Sequence, residues 1–316
     1  MTRDKSLRER MAEVYAHGEM AEVVDMCGGE GLMNLGWAPP RSQRAFADRQ
    51  RDLVNRLHDL LSLEPAARVL DLGCGKGGAL SLLASRHPDL FMVGVNVDPA
   101  QLALAAKHLE GQQALDRIRL ICADALALPF DQDTFDAVYA MELGSHIERR
   151  DLLAREIVRV LKPGGRLAMT FMTLNRPFKA FDTKARAYLK DVASWFDEDP
   201  EAFGTAEDYQ NLMTYCGLRS VSFLNLTDGV FHHRYVDHLT ALKALSEQGL
   251  ELSENLSPSF LQKFLELNTL HHPCRYYEYY LAVWQLPTTN ATLKIQTPTY
   301  PCNKTTPCSE SRSMEE

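Results

Sequence analysis

The chain has 316 residues, 45% of them hydrophobic, and a formal net charge of −8, so it can bury a sizeable core in one large domain or two small ones. The acidic balance argues against a general nucleic-acid binder, because affinity for phosphate backbones comes mainly from clustered Lys and Arg. The sequence shows no apolar run long enough to span a membrane and no secretory signal peptide, which predicts a cytoplasmic protein.

Two helices are predicted at the start of the chain. Residues 5–25 and residues 41–62 carry apolar side chains mostly three and four positions apart, which is the spacing of an amphipathic helix. The loop "GGEGLMNLGWAPP" lies between them. We interpret residues 1–62 as an N-terminal helical flap.

From Arg68 onward, short apolar runs alternate with helical segments. This alternation is typical of a parallel sheet with crossover helices. It predicts an α/β fold with a doubly wound, seven-stranded and mostly parallel sheet. The predicted strands are 68–72, 91–97, 118–123, 135–141, 166–172, 220–226 and 276–285. The predicted helices are 79–87, 99–109, 149–161 and 205–216.

Two stretches interrupt this alternation, at residues 175–200 and 228–273. Both follow the fifth predicted strand, and we interpret them as lid insertions in a core that covers residues 63–286. Residues 287–316 are rich in Thr, Pro, Ser and Asn and poor in large apolar side chains, which predicts a disordered tail.

The stretch "RVLDLGCGKGGAL" runs a predicted strand into a cluster of glycines. Gly73, Gly75 and Gly78 match the dinucleotide-binding pattern GxGxxG. Asp71, followed by a glycine at every second position, matches the acid-x-G-x-G-x-G pattern of S-adenosylmethionine binding. In both patterns the glycines let the backbone approach the ligand at a strand-to-helix turn, where backbone amides are unpaired. The glycine spacing alone leaves both ligands open.

The acidic residue ahead of the loop distinguishes the two ligands. A pyrophosphate is doubly negative, so the Asp71 carboxylate would repel it, whereas the ammonium and sulfonium groups of S-adenosylmethionine would be attracted. A dinucleotide-binding fold places Asp or Glu on the ribose after the second strand, and this sequence has Asn96 there. Asn96, Asp98 and Gln101 are the candidates for the ribose contact. A nicotinamide oxidoreductase is therefore disfavoured.

Four segments follow one another along the chain: "VLDLGCGKGG", "GVNVDPAQL", "ADALALPFDQDTFDAVYAMELGSHI" and "EIVRVLKPGGRLAM". In this order and at this spacing, residues 32–226 resemble the class I S-adenosylmethionine-dependent methyltransferases. The resemblance is to the branch that contains ubiquinone-biosynthesis, sterol, mycolic-acid and natural-product enzymes. It implies a Rossmann-like methyltransferase fold and S-adenosylmethionine as the cofactor.

The resemblance also implies roles for individual residues. Asp71 and the first glycines of the loop would hold the methionine moiety, and Asn96 and Gln101 the ribose. Asp124 and Ala125, after the third strand, would contact the adenine. The full set of predicted cofactor-binding residues is Trp37, Asp71, Gly73, Cys74, Gly75, Asn96, Val97, Gln101, Asp124, Ala125 and Glu142.

A base is needed if the methyl group goes to a hydroxyl, because the methyl carbon arrives already activated and the hydroxyl must lose its proton. His146 is the predicted catalytic base, since relatives carry a substrate-facing His here and imidazoles change charge near neutral pH. The alternative is that His146 only packs locally at the start of the next helix. Glu142 is the second predicted catalytic residue and would orient the ligand or His146. Some relatives pair this His with an Asp after the fifth strand, where this chain has Thr170 and Phe171.

No metal site is predicted. The pairs His232 with His233 and His271 with His272 invite a metal hypothesis. Adjacent histidines tend to point in different directions, however, and no Cys or carboxylate lies at zinc-type spacing from them.

The two predicted insertions are rich in aromatic residues. Such residues usually belong to a core; if they form a lid instead, they would line a pocket for an apolar and fairly large substrate. The aromatic residues concerned are Phe178, Phe181, Tyr188, Trp195, Phe231, Tyr235, Phe260, Phe264, Tyr276 and Tyr277.

The predicted function is methyl transfer from S-adenosylmethionine to a hydroxyl of a small secondary metabolite. Three alternatives stay open: C-methylation of a sterol, prenyl or similar apolar substrate, N-methylation, and a catalytically silent binding protein on the same fold. The expected substrate is a small apolar molecule with a hydroxyl. No nucleic-acid partner and no membrane span are expected, and the chain is expected to pair with a second copy in a homodimer.

Overall fold

The architecture is given by a computed structural model of the chain. It describes residues 31–110, 116–194, 199–232 and 275–288, together with Glu9. Nearly all of the first predicted helix, most of the second predicted insertion and nearly all of the predicted tail lie outside the described residues.

The described ranges contain seven strands and six α-helices with the bounds given next, and residues 227–232 are helical as well. The strands are β1 Arg68–Leu72, β2 Phe91–Asn96, β3 Ile118–Cys122, β4 Phe135–Met141, β5 Leu161–Leu174, β6 Arg219–Asn225 and β7 Tyr277–Gln285. The α-helices are α1 Phe46–Leu61, α2 Gly78–Arg86, α3 Pro99–Glu110, α4 Arg150–Val160, α5 Thr183–Ser194 and α6 Ala206–Tyr215. Short 3-10 turns cover Gly144–His146, Phe178–Ala180 and Pro200–Ala202. Among the helices of these ranges, none has both the length and the apolar composition needed to cross a bilayer.

The strands form one seven-stranded sheet in the order β3-β2-β1-β4-β5-β7-β6. Neighbouring strands from β3 to β5 run parallel, and β7 runs antiparallel to both of its neighbours. The predicted doubly wound and mostly parallel sheet is therefore confirmed. The strand order reverses between β1 and β4, and in open sheets of this kind ligands bind at that reversal, beyond the carboxyl ends of the strands.

Helices cover both faces of the sheet because its central strands are apolar on both sides. In β1, the side chains of Val69, Leu70 and Leu72 are fully buried. Val69 packs in one hydrophobic cluster with Leu53 and Leu57 of α1. The other two side chains pack in a second cluster, with the apolar stripe of α4. The core is thus split into two layers, one on each side of the sheet.

Strand β5 begins at Leu161, earlier than the predicted start at residue 166. The glycine turn that opens it is held by the end of β7. The N–H of Gly164 donates to the carbonyl of Leu286 at 2.8 Å, and the N–H of Leu286 donates to the carbonyl of Gly165 at 2.9 Å. These partners lie far apart along the chain, so a local sequence pattern does not indicate the extension.

The described residues 175–194 of the first predicted insertion contain a 3-10 turn followed by α5. Its aromatic side chains Phe178, Phe181 and Tyr188 are buried in the hydrophobic core. Phe181 and Tyr188 both pack against Tyr276, with ring centroids 5.8 and 5.1 Å away. Of the two interpretations of the aromatic residues, core or lid, the core interpretation applies to Phe178, Phe181, Tyr188 and Tyr276.

Candidate active site

A pocket lies at the carboxyl ends of β1, β2 and β4, where the strand order reverses. Its walls come from the glycine loop after β1, the ends of β2 and β4, the loop after β3, and residues 31–34. The predicted site residues that line it are Asp71, Gly73, Cys74, Gly75, Asn96, Val97, Gln101, Ala125, Glu142 and His146.

Two predicted site residues are missing from the described pocket lining. The Trp37 ring lies under the guanidinium of Arg56, 4.6 Å from it. The Asp124 carboxylate accepts a hydrogen bond of 2.9 Å from the backbone N–H of Leu126. Neither Trp37 nor Asp124 is among the described residues that line the pocket. Their roles as cofactor contacts stay predictions.

The glycine loop is tied to the neighbouring strand β2. The N–H groups of Gly73 and Cys74 both donate to the carbonyl of Val95, at 2.8 and 3.0 Å. Gly75 has a φ of +52°, in the left-handed region that favours glycine. A Cβ atom at Gly75 would lie 3.0 Å from Sδ of Met33, another lining residue. Glycine at this position therefore keeps the wall of the pocket open to a ligand.

Asp71 is the buried acidic group of the pocket, with 2% of its surface exposed. Its Oδ2 accepts a hydrogen bond of 2.9 Å from the Tyr139 hydroxyl. Burial raises the pKa of Asp71 to about 7, and the bond from Tyr139 offsets that rise only in part. Burial and the nearby Asp71 carboxylate raise the pKa of Tyr139 well above its usual value, so its hydroxyl stays protonated and donates.

His58 lies behind Tyr139, with the two rings edge-on and their centroids 5.1 Å apart. Burial lowers the pKa of His58 to about 3, so its ring is neutral near neutral pH. Tyr139 and His58 therefore bring no positive charge to the Asp71 carboxylate. A cationic ligand group in the pocket would supply that charge and favour ionised Asp71. The pocket thus fits a ligand with an ammonium or sulfonium group.

Two amide side chains follow β2. Nδ2 of Asn96 donates to Oε1 of Gln101 at 2.9 Å, and Oδ1 of Asn96 accepts from the backbone N–H of Asp98 at 3.1 Å. The Asp98 carboxylate accepts from the N–H of Ala100 at 2.9 Å and so caps the start of α3. Asn96 and Gln101 line the pocket, and Asp98 is not among its described lining residues. Of the three candidates for the ribose contact, the two with side-chain amides, Asn96 and Gln101, are therefore the ones that lie at the pocket.

Glu142 connects three elements at the pocket wall. Its Oε1 accepts hydrogen bonds from the N–H of Leu35 at 2.8 Å and from the hydroxyl of Tyr279 at 2.7 Å. Its own N–H donates to the carbonyl of Thr170 at 2.9 Å. The φ of Glu142 is +56°, which non-glycine residues rarely adopt. The carboxylate is thus held in place, and it joins β7 to the chain that passes over the pocket.

His146 ends the 3-10 turn after β4 and lines the pocket. The turn fits closely against α6, because a Cβ atom on Gly144 would lie 2.6 Å from the hydroxyl oxygen of Tyr209. Tyr209 in turn stacks on Phe171 of β5, with ring centroids 4.2 Å apart. These contacts fix the backbone that presents His146.

The end of β5 supplies no carboxylate to His146, since it carries Thr170 and Phe171 and the strand contains no Asp or Glu. The hydroxyl of Thr170 accepts a hydrogen bond of 3.2 Å from the N–H of Glu142. The Phe171 ring lies in the hydrophobic core. A base at His146 would therefore act without an Asp from this strand.

The histidines of the metal hypothesis fall almost entirely outside the described residues; His232 alone of the four is described, and it is exposed. Within the described ranges, no group of three or more His, Cys, Asp or Glu side chains is arranged to hold a metal ion.

Sequence reasoning missed Gln50, Tyr139 and Tyr279, which support the site from behind. Nε2 of Gln50 donates to the carbonyls of Leu32 at 3.3 Å and Asn34 at 2.8 Å, and so fixes the chain over the pocket. All three are polar side chains at positions that the periodicity of their helix or strand predicts to be buried, and this is the signal that could have found them. Their partners come from other elements, so the signal does not say what they hold.

Comparison with known proteins gives the family of the central part of the chain. Residues 70–169 match the model of a family described as a methyltransferase domain. The chain is 32% identical to methyltransferase GfsG of Streptomyces halstedii over 195 residues, which are 61% of this chain and 66%, just under two thirds, of GfsG. It is 28% identical to the O-methyltransferase rstn1 of Aspergillus nomiae over 63% of this chain and 85% of rstn1. It is 33% identical to 24-methylenesterol C-methyltransferase 2 of Oryza sativa subsp. japonica, over 42% of this chain and 38% of that protein.

Solved structures share the fold over most of the chain. The [4+2]-cyclase SpnF has a TM-score of 0.73 at 19% identity, over 90% of this chain and 98% of SpnF. A sarcosine dimethylglycine methyltransferase from Galdieria sulphuraria has a TM-score of 0.72 at 18% identity, over 86% of this chain and 98% of that one. Geranyl diphosphate C-methyltransferase from Streptomyces coelicolor, solved with S-adenosyl-L-homocysteine, has a TM-score of 0.67 at 17% identity, over 90% and 99%. At these identities the likeness shows the fold alone.

Proposed function

We propose that this chain, which belongs to the class I S-adenosylmethionine-dependent methyltransferases, transfers a methyl group from S-adenosylmethionine to a hydroxyl of a small molecule. One observation carries the proposal: a single pocket at the strand-order reversal contains both the buried Asp71 carboxylate and the His146 imidazole. The Asp71 carboxylate suits the cationic cofactor, and the His146 imidazole suits an acceptor hydroxyl that must lose its proton.

The cofactor would be held by the residues that end β1 and β2. The Asp71 carboxylate would pair with the ammonium group of the methionine moiety, since it is buried and neither Tyr139 nor His58 brings it a positive charge. The amides of Asn96 and Gln101 would hydrogen-bond the ribose hydroxyls. Val97 and Ala125 offer an apolar surface to the adenine. S-adenosylmethionine supplies a methyl group on a sulfonium, which makes it ready for displacement.

His146 would take the proton from the acceptor hydroxyl. Its turn is fixed against α6, so the backbone that carries His146 is held at one wall of the pocket. A positioned base of this kind contributes about 10²–10⁴-fold to a proton transfer. Glu142 would support this wall rather than accept the proton, because its Oε1 already accepts two hydrogen bonds.

The wall around His146 favours an uncharged acceptor. Met141, Leu143 and Ile147 line it, and no Lys or Arg is found among the described lining residues. A diphosphate would need such cations or a metal ion. The relatives rstn1 and resE are named O-methyltransferases, which supports a hydroxyl as the acceptor.

Two measurements test the proposal. Titration calorimetry against S-adenosylmethionine, S-adenosylhomocysteine and NAD should show binding of the first two ligands without NAD; binding of NAD alone would contradict the cofactor assignment. Transfer of a labelled methyl group should then be measured for a panel of hydroxylated natural products, each beside its methyl ether. Label should enter the free hydroxyl compounds and be absent from their ethers.

Methylation of carbon is the second candidate function. It is favoured by the match to a sterol C-methyltransferase and by the carboxylate of Glu142 in the pocket wall. Label that enters a hydroxyl compound and its methyl ether equally would select this candidate. The cytoplasmic location and the homodimer expected from the sequence stay predictions.

A further inference from the structure

The chain from Gly31 to Ala38, here named the 31–38 segment, passes over the pocket, and its first four residues line it. On one side the segment is bound to α1, through Gln50 and through a hydrogen bond of 3.0 Å from the N–H of Trp37 to the carbonyl of Arg49. On another side the N–H of Leu35 donates to Oε1 of Glu142. This second attachment joins the segment to the loop after β4.

The side chain of Glu142 is itself held from β7. Tyr279 is fully buried, and its hydroxyl donates to the same oxygen that receives the Leu35 N–H. Burial and the Glu142 charge raise the pKa of Tyr279 well above its usual value, so the hydroxyl keeps its proton. Hydrogen bonds to an ionised acceptor are about twice as strong as neutral ones. Tyr279 therefore fixes where the carboxylate meets the segment.

The backbone around Tyr279 leads back to the same segment. The N–H of Tyr279 donates to the hydroxyl of Thr227 at 3.0 Å, and residues 227–232 are helical. The carbonyl of Gly229 in those turns accepts from the N–H of Ala38 at 3.2 Å. The 31–38 segment is thus attached at Leu35 and at Ala38 to parts of the chain that meet at Tyr279.

We propose that Tyr279 is a positioning residue that, through the Glu142 carboxylate, holds the 31–38 segment over the pocket and so slows the release of bound cofactor. The claim that cofactor release is slowed rests on the proposed function. The claim that Tyr279 holds the 31–38 segment concerns the ligand-free chain alone. Tyr279 does not touch the acceptor in this role, and its effect passes through Glu142 to the N–H of Leu35.

The test compares Tyr279→Phe with Tyr277→Phe, which removes a hydroxyl from the same strand where the ring packs against Phe203. Site-resolved hydrogen exchange in the ligand-free chain should show the Leu35 amide exchanging about tenfold faster in Tyr279→Phe, as expected when a hydrogen bond to a charged group loses its support. The Trp37 amide, bound to α1, is the internal reference. An unchanged Leu35 rate, or an equal change in Tyr277→Phe, would overturn the proposal.

A second variant keeps the test decisive if Tyr279→Phe fails to fold. Glu142→Gln retains an oxygen acceptor but removes the charge, so it should speed exchange at Leu35 less than Glu142→Ala does; equal rates in the wild type and both variants would overturn the proposal.

Dissociation of S-adenosylhomocysteine, measured by stopped flow, should be about tenfold faster in Tyr279→Phe than in the wild type. If the wild type binds no such ligand while the exchange result holds, the proposed function fails and the role of Tyr279 stands. If binding is normal and both rates are unchanged, the role of Tyr279 fails alone.

Discussion

The hydroxyl of Tyr139 donates to Oδ2 of Asp71 over 2.9 Å, and the two residues are direct partners in the parallel pairing of β4 with β1. The acid of the pocket is therefore supported by the neighbouring strand and not by its own loop. Because burial raises the pKa of Asp71 to about 7, the ligand-free protein near neutral pH contains both the protonated and the ionised form. Proton binding and cofactor binding should compete at this carboxylate.

The affinity for S-adenosylmethionine is expected to rise with pH up to about 7 and then to level off, because a cationic ligand prefers the ionised Asp71. Below that pH the apparent Kd should increase by up to about tenfold per pH unit, as the ligand must expel a proton. Calorimetry in buffers of different ionisation enthalpy measures that proton release directly. Asp71→Asn should bind weakly with a flat profile, and a flat profile in the wild type would refute the assignment.

Asp71→Asn is expected to stabilise the ligand-free protein in mildly alkaline buffer. The pKa of Asp71 is raised in the folded state, so the native state binds protons more tightly, and stability falls as pH rises from about 4 to about 7. The variant lacks the charge but can still accept the bond from Tyr139. Its free energy of unfolding should exceed that of the wild type by up to about 4 kcal/mol near pH 8, and the gain should disappear near pH 4.

Urea denaturation at both pH values measures this difference. Asp151→Asn is the matched control, because the side chain of Arg149 lowers the pKa of Asp151, and removing that carboxylate should give no gain. An Asp71→Asn variant that is less stable than the wild type in alkaline buffer would show that the buried charge is compensated.

His146→Ala should lower turnover by about 10² or more while the Kd for S-adenosylmethionine changes by less than about twofold, if His146 removes the proton of the acceptor. The measurement is a steady-state rate for the best hydroxyl acceptor, together with calorimetry of the cofactor. His87→Ala, at the end of α2 and outside the described pocket lining, is the control. Turnover equal to that of the wild type would mean that His146 only packs in its turn.

Gly75→Ala should weaken cofactor binding by about tenfold or more, because the new methyl group would lie against Met33 inside the pocket. The left-handed backbone at Gly75 should also cost roughly 1–2 kcal/mol of stability. Gly164→Ala is a matched control: its φ is +84°, and its added Cβ would meet Thr288 at 3.0 Å, away from the pocket. Both variants should lose stability, and cofactor affinity should fall in Gly75→Ala alone. Equal losses of affinity would assign the effect to the fold.

The strands were predictable because their apolar runs are local and are ended by glycine, asparagine or charged residues. The prediction has the same bounds as the structure for β1 and β4, and it differs by about one residue at the ends of most others. It failed at the start of β5, where Gly164 and Gly165 pair with Leu286 from the end of β7. Pairing between distant segments leaves no local pattern in the sequence.

The same reason explains what was missing from the candidate site. Asp71 and the glycine loop were found because their spacing is short and specific. The supports of Asp71 and Glu142, which are Tyr139 and Tyr279, depend on strand register and on a contact across 137 positions of the chain. For Trp37, a loop motif indicated its position in the chain but not the direction of its ring, which packs under Arg56, and its role as a cofactor contact stays a prediction.

The last described strand of the chain, β7, is inserted between β5 and β6 and is not added at an edge. During synthesis β6 leaves the ribosome before β7, the neighbour that it pairs with in the described sheet. A nascent chain stopped before Tyr277 would expose the long edge of β5, and unpaired edges of this kind invite aggregation. Such a chain would also lack Tyr279, so Glu142 would meet the 31–38 segment without its support. The support of the pocket wall at Glu142 is therefore tied to the emergence of β7. Incomplete translation products should be recognisable to chaperones and proteases by an open sheet.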